Sequence, residues 1–157
     1  MISAQPELLC EALPEIKPLL PLHYEALSLH KDRHALSPQY EVYLARERNG
    51  ELSLVTLRHD GALVGYWISF VAPGLHYSTC LTGTMDIWFI AKEYRVGKAP
   101  LLLIRAVEKE LKRRGVHLWF AGEKLHNPCG RLFKFVDMQP VETYYAKWLR
   151  DEPMERH

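Results

Sequence analysis

Apolar and polar positions alternate most clearly in the middle of the chain. ELSLVTLR (51–58) and ALVGYWISFVA (62–72) read as two strands joined across His59-Asp60-Gly61. Asp-Gly supplies the positive φ angles of a tight hairpin turn. After PGLHYST, LTGTMDIWFIA (81–91) reads as a third strand, and KEYRVGKAP follows without periodicity. PLLLIRAVEKELKRRG (100–115) then places Leu101, Ile104, Val107 and Leu111 at helical spacing. Pro100 suits the first turn and Gly115 the C′ stop. Lys112, Arg113 and Arg114 fall where the helix dipole favours cations. VHLWFAG (116–122) predicts a strand, and NPCGRLFKFV (127–136) a short helix capped by Asn127 with Pro128 at its first position. PVETYYAKWL (140–149) predicts a last strand before a polar tail.

The first forty residues read as helical with interruptions. From Pro14, taken as a first-turn residue, Ile16, Leu19, Leu20, His23 and Leu27 keep the 3.6-residue period. Pro18 and Pro21 should kink or divide this segment. Ser37-Pro38 predicts a restart into a short helix through Tyr43 and Leu44. The order is helix–helix–strand–strand–strand–helix–strand–helix–strand. The strand–helix–strand run implies one parallel pair, and the meander before it an antiparallel sheet. The expected fold class is α/β, a mixed and mostly antiparallel sheet with helices on both faces. No linker or repeat divides the chain, so one domain over 1–157 is expected, with helices in 1–48 and the sheet, central helix and last strand in 51–149.

Composition narrows the class further. At 157 residues, 48% hydrophobic and 25% charged, the chain has the make-up of a globular protein. That excludes a disordered, collagen-like or disulfide-scaffold protein. The formal net charge is +1, which predicts no global attraction to nucleic acid or membrane. Cys10, Cys80 and Cys129 are odd in number and far apart, which favours a reducing compartment. No apolar run approaches the ~18–20 residues that span a bilayer. The N-terminus carries three glutamates before its first lysine, unlike a signal peptide. A cytoplasmic protein is expected.

The most informative feature is DIWFI-AKEYRVGKAP-LLLIRAVEKEL, a strand that ends in a basic, small-residue loop opening into a helix. A helix N-terminus exposes unpaired N–H groups and a positive dipole end, which suits an anion such as pyrophosphate. Gly97 and Ala99 permit close backbone approach, and Lys92, Arg95 and Lys98 add charge. The alternative is an ordinary strand–helix loop with solvated charges. From Lys92 to Arg114 there are eight basic and three acidic residues, a local net of +5. Over the helix this reads best as a wet face.

With Tyr94-Arg95 leading into that loop, the Leu-rich helix closing at Arg114-Gly115, and NPCGRLFKFVDMQPVETYYAKWL, the chain resembles the GNAT (Gcn5-related) N-acetyltransferases. EYRVGKAPLLLIRAVEKEL, LVGY, LHY and PVETYYAK resemble in particular GNAT proteins encoded in tailed-phage and prophage genomes. The resemblance implies that the third strand splays from its neighbour and that the gap takes the pantetheine arm of acetyl-CoA. Backbone groups at Ile87, Trp88, Phe89 and Ile90 would pair with the arm. Arg95, Val96, Gly97, Lys98, Ala99 and Leu101 would hold the pyrophosphate, and Asn127 would stand beside the cofactor at the start of the family's last helix. Acetyl transfer would be direct, from thioester to a primary amine of a small molecule or protein. Two departures stand out. Counted from Arg95, the family's two small-residue positions fall on Lys98 and Pro100, and Pro100 has no N–H to donate. The position of the family's general-acid tyrosine is Lys134.

The reacting groups are therefore argued from residue type. Asp86 is the first candidate for a base or amine-orienting group, against a plain hydrogen-bonded strand carboxylate. His76 and Tyr77 precede that strand in a loop, and His is the natural proton acceptor near neutral pH. Tyr144 and Tyr145 should point to opposite faces of the last strand, one to the core and one to the cleft, with Tyr145 the catalytic candidate. The four tryptophans, Trp67, Trp88, Trp119 and Trp148, all fall in predicted strands. An acceptor pocket is expected from the N-terminal helices and the loops at 74–80 and 122–127, with His23, Tyr24, His30, His34, His76, Tyr77 and His126 as its polar side chains. His76-x3-Cys80 and His126-x2-Cys129 make poor zinc pairs, and no metal is expected. The last strand, if exposed, would offer an edge to a second copy, so a homodimer is considered. A catalytically inactive GNAT-fold binding module is the alternative function.

Overall fold

A five-stranded sheet organises the computed structural model, which describes residues 1–149. Its strands lie side by side in chain order: β1 (Ile2–Glu7), β2 (Leu52–His59), β3 (Ala62–Pro73), β4 (Leu81–Ile90) and β5 (Leu118–Phe120). All neighbours are antiparallel except β4 and β5, which run parallel. The β2–β3 hairpin turns at Asp60 and Gly61, both with positive φ (48° and 87°), as Asp-Gly predicts.

Helices cover both faces. α1 (Leu9–Ile16), α2 (Leu20–Leu27) and α3 (Tyr40–Arg48) lie on one side. There Leu9, Ile16 and Leu20 pack with Leu54, Tyr66, Ile68 and Phe89 from the sheet. α4 (Ala99–Arg113) and α5 (Gly130–Phe135) lie on the other, where Leu103, Ile104, Val107 and Phe133 meet Val55, Leu57 and Trp67. Pro100 sits in the first turn of α4, and Gly115 just past its end takes a φ of 79°.

Several expectations are corrected. β1 is an edge strand that the pattern did not reveal, because it is short and holds Pro6, a residue sheets confine to edges. α1 starts at Leu9, so Pro14 lies inside it rather than in its first turn. The start is set by tertiary contact: the Glu47 carboxylate of α3 accepts from the N–H groups of Leu9 and, at 2.9 Å, Cys10. Pro18 and Pro21 do divide the segment, through a 3₁₀ turn at Lys17–Leu19 and a restart at Leu20. The α5 helix begins at Gly130, not Asn127, and Glu123 caps it by accepting from the Cys129 (2.5 Å) and Gly130 N–H groups. β5 is shorter than 116–122. Residues 140–149 form no strand, and Tyr144 and Tyr145 are both exposed (87% and 94%) rather than divided between core and cleft. Trp148 is therefore in no strand; its ring packs on His30 and His34, with the Arg33 guanidinium 5.3 Å from its centroid.

Two irregularities set the sheet's two faces. The β2–β3 register slips between Leu57 and Arg58, where β3 carries one extra residue. Gly65 lies there, and a Cβ on it would stand 2.8 Å from the Phe89 carbonyl of β4. The β3–β4 register slips at Asp86: Ile68 pairs with Ile87 and Ser69 with Met85, leaving Asp86 opposite nothing. No helix among the described residues is long and apolar enough to cross a membrane.

Two outcomes are expected. Gly65→Ala should lower unfolding stability by about 1–3 kcal/mol in urea titration, because the obstruction is backbone rather than a movable side chain. The second concerns Arg58, which bonds Glu7 (2.7 and 2.8 Å) and Glu15 (2.8 and 2.9 Å) and ties β1, β2 and α1 together. Hydrogen bonding to Arg58 lowers the Glu7 carboxyl to about 2. A carboxyl depressed in the fold stabilises it above the ordinary carboxylate range and loses that contribution as pH falls toward the folded value. Between pH 5.5 and 3, wild type should lose on the order of 1–2 kcal/mol more than Glu7→Gln, allowing for screening. Equal losses in the two proteins would refute the coupling.

Candidate active site

β4 is zipped to β3 along its length but pairs with β5 over only three residues, Thr82, Gly83 and Thr84. Beyond Thr84 its outer edge has no strand partner among the described residues. The two parallel strands thus fork, and Met85 to Ile90 line one arm of the fork. At the fork's base stands Trp119, paired with Gly83 and edge-on to Trp67 at 5.6 Å. The Trp119 Nε1 is buried and has no acceptor among the described residues. An extended chain carrying amide oxygens, the chemistry of a pantetheine arm, fits both the free strand edge and that unused donor.

At the far end of β4 the chain makes a 3₁₀ turn (Lys92–Tyr94) and enters α4. Gly97 takes a φ of 67°, and Lys98 occupies the N-cap. The first-turn amides of Ala99 and Leu101 remain for an anion, and Pro100 offers none. Val96 and Lys98 are exposed. Arg95 does not reach over the helix end. Its Nε donates to the Ile90 carbonyl (2.7 Å) and its guanidinium lies 5.4 Å from the Phe89 ring centroid. Asn127 closes a tight turn by donating its N–H to the Lys124 carbonyl (2.9 Å).

The bulge decides where Asp86 points. Before it, Leu81, Gly83 and Met85 face α4; after it, Trp88 and Ile90 do. Asp86 and Ile87 consequently both face α1–α3, and the Tyr43 hydroxyl of α3 donates to the Asp86 Oδ2. Bulges that re-aim a side chain are common beside active sites. Burial raises the Asp86 carboxyl from its ordinary range, with the Tyr43 hydrogen bond and the Arg46 charge opposing. Burial and Asp86 push the Tyr43 hydroxyl up, so it stays a donor. Oδ1 has no partner among the described residues.

On that same side lies a cavity of about 280 Å³. Leu13, Ile16 and Leu20 wall it from the helices, Ile68 and Ile87 from the sheet, and Leu36 from the connection between α2 and α3. Its polar side chains are those of His23, Tyr24, Ser28, His34, Ser37, Tyr40 and Tyr43. His23 Nδ1 lies 2.7 Å from the Tyr66 hydroxyl, and its ring stacks on Phe89 at 5.3 Å. Of the polar side chains expected in an acceptor pocket, His23, Tyr24 and His34 line the cavity; His30, His76, Tyr77 and His126 do not. His76 and Tyr77 pack against each other in the exposed 74–80 loop. Neither they nor Tyr145 line the cavity. Tyr43 was missed as a site residue, since nothing in its local pattern distinguishes it from a helix-packing tyrosine. No group of three or more His, Cys, Asp or Glu side chains suited to a metal comes together among the described residues.

No protein-family model matches the chain, and no curated protein does. Solved structures do. A ribosomal-protein-alanine N-acetyltransferase from Brucella melitensis biovar Abortus 2308 is 17% identical, over 97% of this chain and 99% of that one, with a TM-score of 0.71. The aminoglycoside acetyltransferase HMB0005 from an uncultured soil metagenomic sample is 13% identical, over 96% and 99%, at 0.73. A transcriptional regulator from Bacillus halodurans C-125 is 12% identical, over 95% and 100%, at 0.75. These likenesses establish the fold. It is the fold that the GNAT resemblance implied.

Burial, with Lys124 and Arg95 adding, lowers His23 to about 4. A histidine held neutral in the fold costs stability as pH falls from its unfolded value of 6.5 toward 4. In an NMR titration the His23 ring resonances should stay at their neutral positions down to about pH 5, where exposed histidines have already shifted. A His23 midpoint above 6 would contradict this burial.

Proposed function

We propose that the protein is an acetyl-CoA-dependent N-acetyltransferase that transfers acetyl directly to a primary amine. The observation that carries the reading is the bulge at Asp86. It sits where the β4 edge falls free for a donor and turns a carboxylate toward the cavity side for an acceptor.

In this reading the donor's amide arm lies along Met85–Ile90, and its phosphates meet the α4 N-terminus beside Lys98. Asp86 Oδ1 accepts from the incoming ammonium, while Tyr43 fixes the carboxylate's orientation through Oδ2. Raised by burial, Asp86 is a better proton acceptor than an exposed aspartate. A C–N bond forms to the acetyl carbon and the C–S bond breaks. Of the two protons the nitrogen sheds, one leaves through Asp86 to solvent and the other ends on the departing thiolate. Lys134 occupies the usual general-acid position and is exposed, so no side chain is assigned to the thiolate.

A second reading draws on one observation. Arg95 is folded back on Ile90 and Pro100 lacks an N–H, so the phosphate end of the donor site holds fewer donors than the family pattern. A GNAT-fold binding module without transfer activity is consistent with that.

Calorimetric titration of wild type and Pro100→Gly with acetyl-CoA and with CoA separates the two. Micromolar binding by wild type is the expected result. Binding absent in wild type and restored in Pro100→Gly would favour the inactive module.

A further inference from the structure

The cavity between α1–α3 and the sheet offers an occupant little but apolar surface. Among the described residues its lining holds no Asp, Glu, Lys or Arg side chain. Most of its polar groups are engaged elsewhere in the protein. The Tyr24 hydroxyl donates to the His34 carbonyl (2.7 Å), and the Tyr43 hydroxyl donates to Asp86. His23 Nδ1 lies 2.7 Å from the Tyr66 hydroxyl, and burial keeps the imidazole neutral at physiological pH. The Lys17 ammonium stands 4.7 Å from the centroid of the Tyr40 ring. Ser28, His34 and Ser37 belong to the 28–39 connection, where Ser37 is exposed and the His34 ring lies against Trp148. What remains is an aliphatic wall of Leu13, Ile16, Leu20, Leu36, Ile68 and Ile87. A hydrocarbon group is favoured against such a wall, and a charged or hydrogen-bonding group without a partner is disfavoured.

One of these residues also belongs to the free edge of β4. Ile87 lies in the Met85–Ile90 stretch that has no outer strand partner among the described residues, and the bulge turns its side chain to the cavity face. The donor's course decides which of its ends comes to this residue. With the phosphates at the α4 N-terminus, beyond Ile90, the arm runs back along the edge toward the bulge, and its thioester arrives at Asp86 and Ile87. An acetyl group ends there. A longer acyl chain continues past the Ile87 side chain. We propose that the cavity receives the alkyl chain of an acyl-CoA longer than acetyl, so that the donor is a short- to medium-chain acyl thioester. The proposal rests on the acetyltransferase reading for the placement of the arm. The bonds exchanged are the same: C–N forms at the acyl carbon and C–S breaks. At about 280 Å³ the space equals about nine waters of liquid volume. A chain of roughly six to eight carbons fills it, a methylene being about the size of a water.

The test is calorimetric titration of the full chain with CoA and with its acetyl, butyryl, hexanoyl, octanoyl and dodecanoyl thioesters. Affinity should rise by up to about fourfold per methylene, making hexanoyl-CoA at least roughly tenfold tighter than acetyl-CoA. The rise should stop once the cavity is full, so dodecanoyl-CoA should bind no more tightly than octanoyl-CoA. Leu36→Trp, at a 40%-exposed position in a connecting segment, and Leu13→Phe, in the α1 wall, each reduce the space. The gain with chain length should be lost in at least one of them, while CoA and acetyl-CoA bind both as they bind wild type. Equal affinity from acetyl to octanoyl in wild type would overturn the proposal. So would a gain that both variants keep, or one that continues unbroken to dodecanoyl, since that is apolar adsorption without a cavity. Acetyl-CoA binding with no gain along the series would end the proposal and leave acetyl transfer standing. Hexanoyl-CoA binding where acetyl-CoA gives no signal would uphold it and correct the donor. Binding of none of the thioesters would end both.

Discussion

A strand has two edges and two faces, and the arrangement of this protein follows from how β4 uses all four. One edge is saturated by β3. The other is saturated by β5 for three residues and then released. Free backbone donors and acceptors at a sheet's interior are costly unless something pairs with them. The fork is thus both a weakness in the sheet and its point of chemical interest. The extra residue at Asp86 solves a second problem. In a regular strand the side chains at 86 and 87 would face opposite ways. The bulge brings both to the α1–α3 side, while Trp88 and Ile90 still reach the core under α4.

Support for that strand is distributed. Tyr43 holds Asp86 from α3, and α3 is held to α1 by the Glu47 carboxylate. α1 is held to β1 and β2 through Glu15, Arg58 and Glu7. A chain of charge-assisted contacts therefore runs from the outer edge of the sheet to the bulge. Such contacts are stronger than neutral hydrogen bonds, and each fixes a helix in orientation as well as position. Gly65 adds a steric term on the opposite side, letting β3 and β4 approach more closely than any side chain would allow.

The elements legible in the sequence were those whose signal is local. The Asp60-Gly61 hairpin, the third strand and the Pro100–Gly115 helix carry their turn residues, periodicity and stop signals within themselves. What escaped was set from a distance. β1 exists because β2 offers an edge, not because Ile2–Glu7 prefers extension. The starts of α1 and α5 are decided by Glu47 and Glu123, distant in sequence or placed by a turn, so Pro14 and Asn127 misled. PVETYYAKWL has the composition of a strand and forms none, since β-propensity reports fit to a partner more than backbone preference. For the candidate site, family resemblance and residue type supplied the strand, the loop and Asp86 as expectations, and the structure adds where each of them lies. Tyr43 and the cavity were not among them, because a pocket between three helices and a sheet has no linear pattern.

The 28–39 connection, which supplies Leu36 to the cavity rim, stands outside this bracing. It contains no regular element, and the Tyr24 hydroxyl donating to the His34 carbonyl (2.7 Å) is one of its few cross-ties. Changes there would alter what the cavity admits while leaving the fork, the bulge and the α4 N-terminus untouched. Folding stability and cavity shape are thus governed by different parts of the chain: the braced strands and helices carry the first, and this loosely tied connection shapes the second.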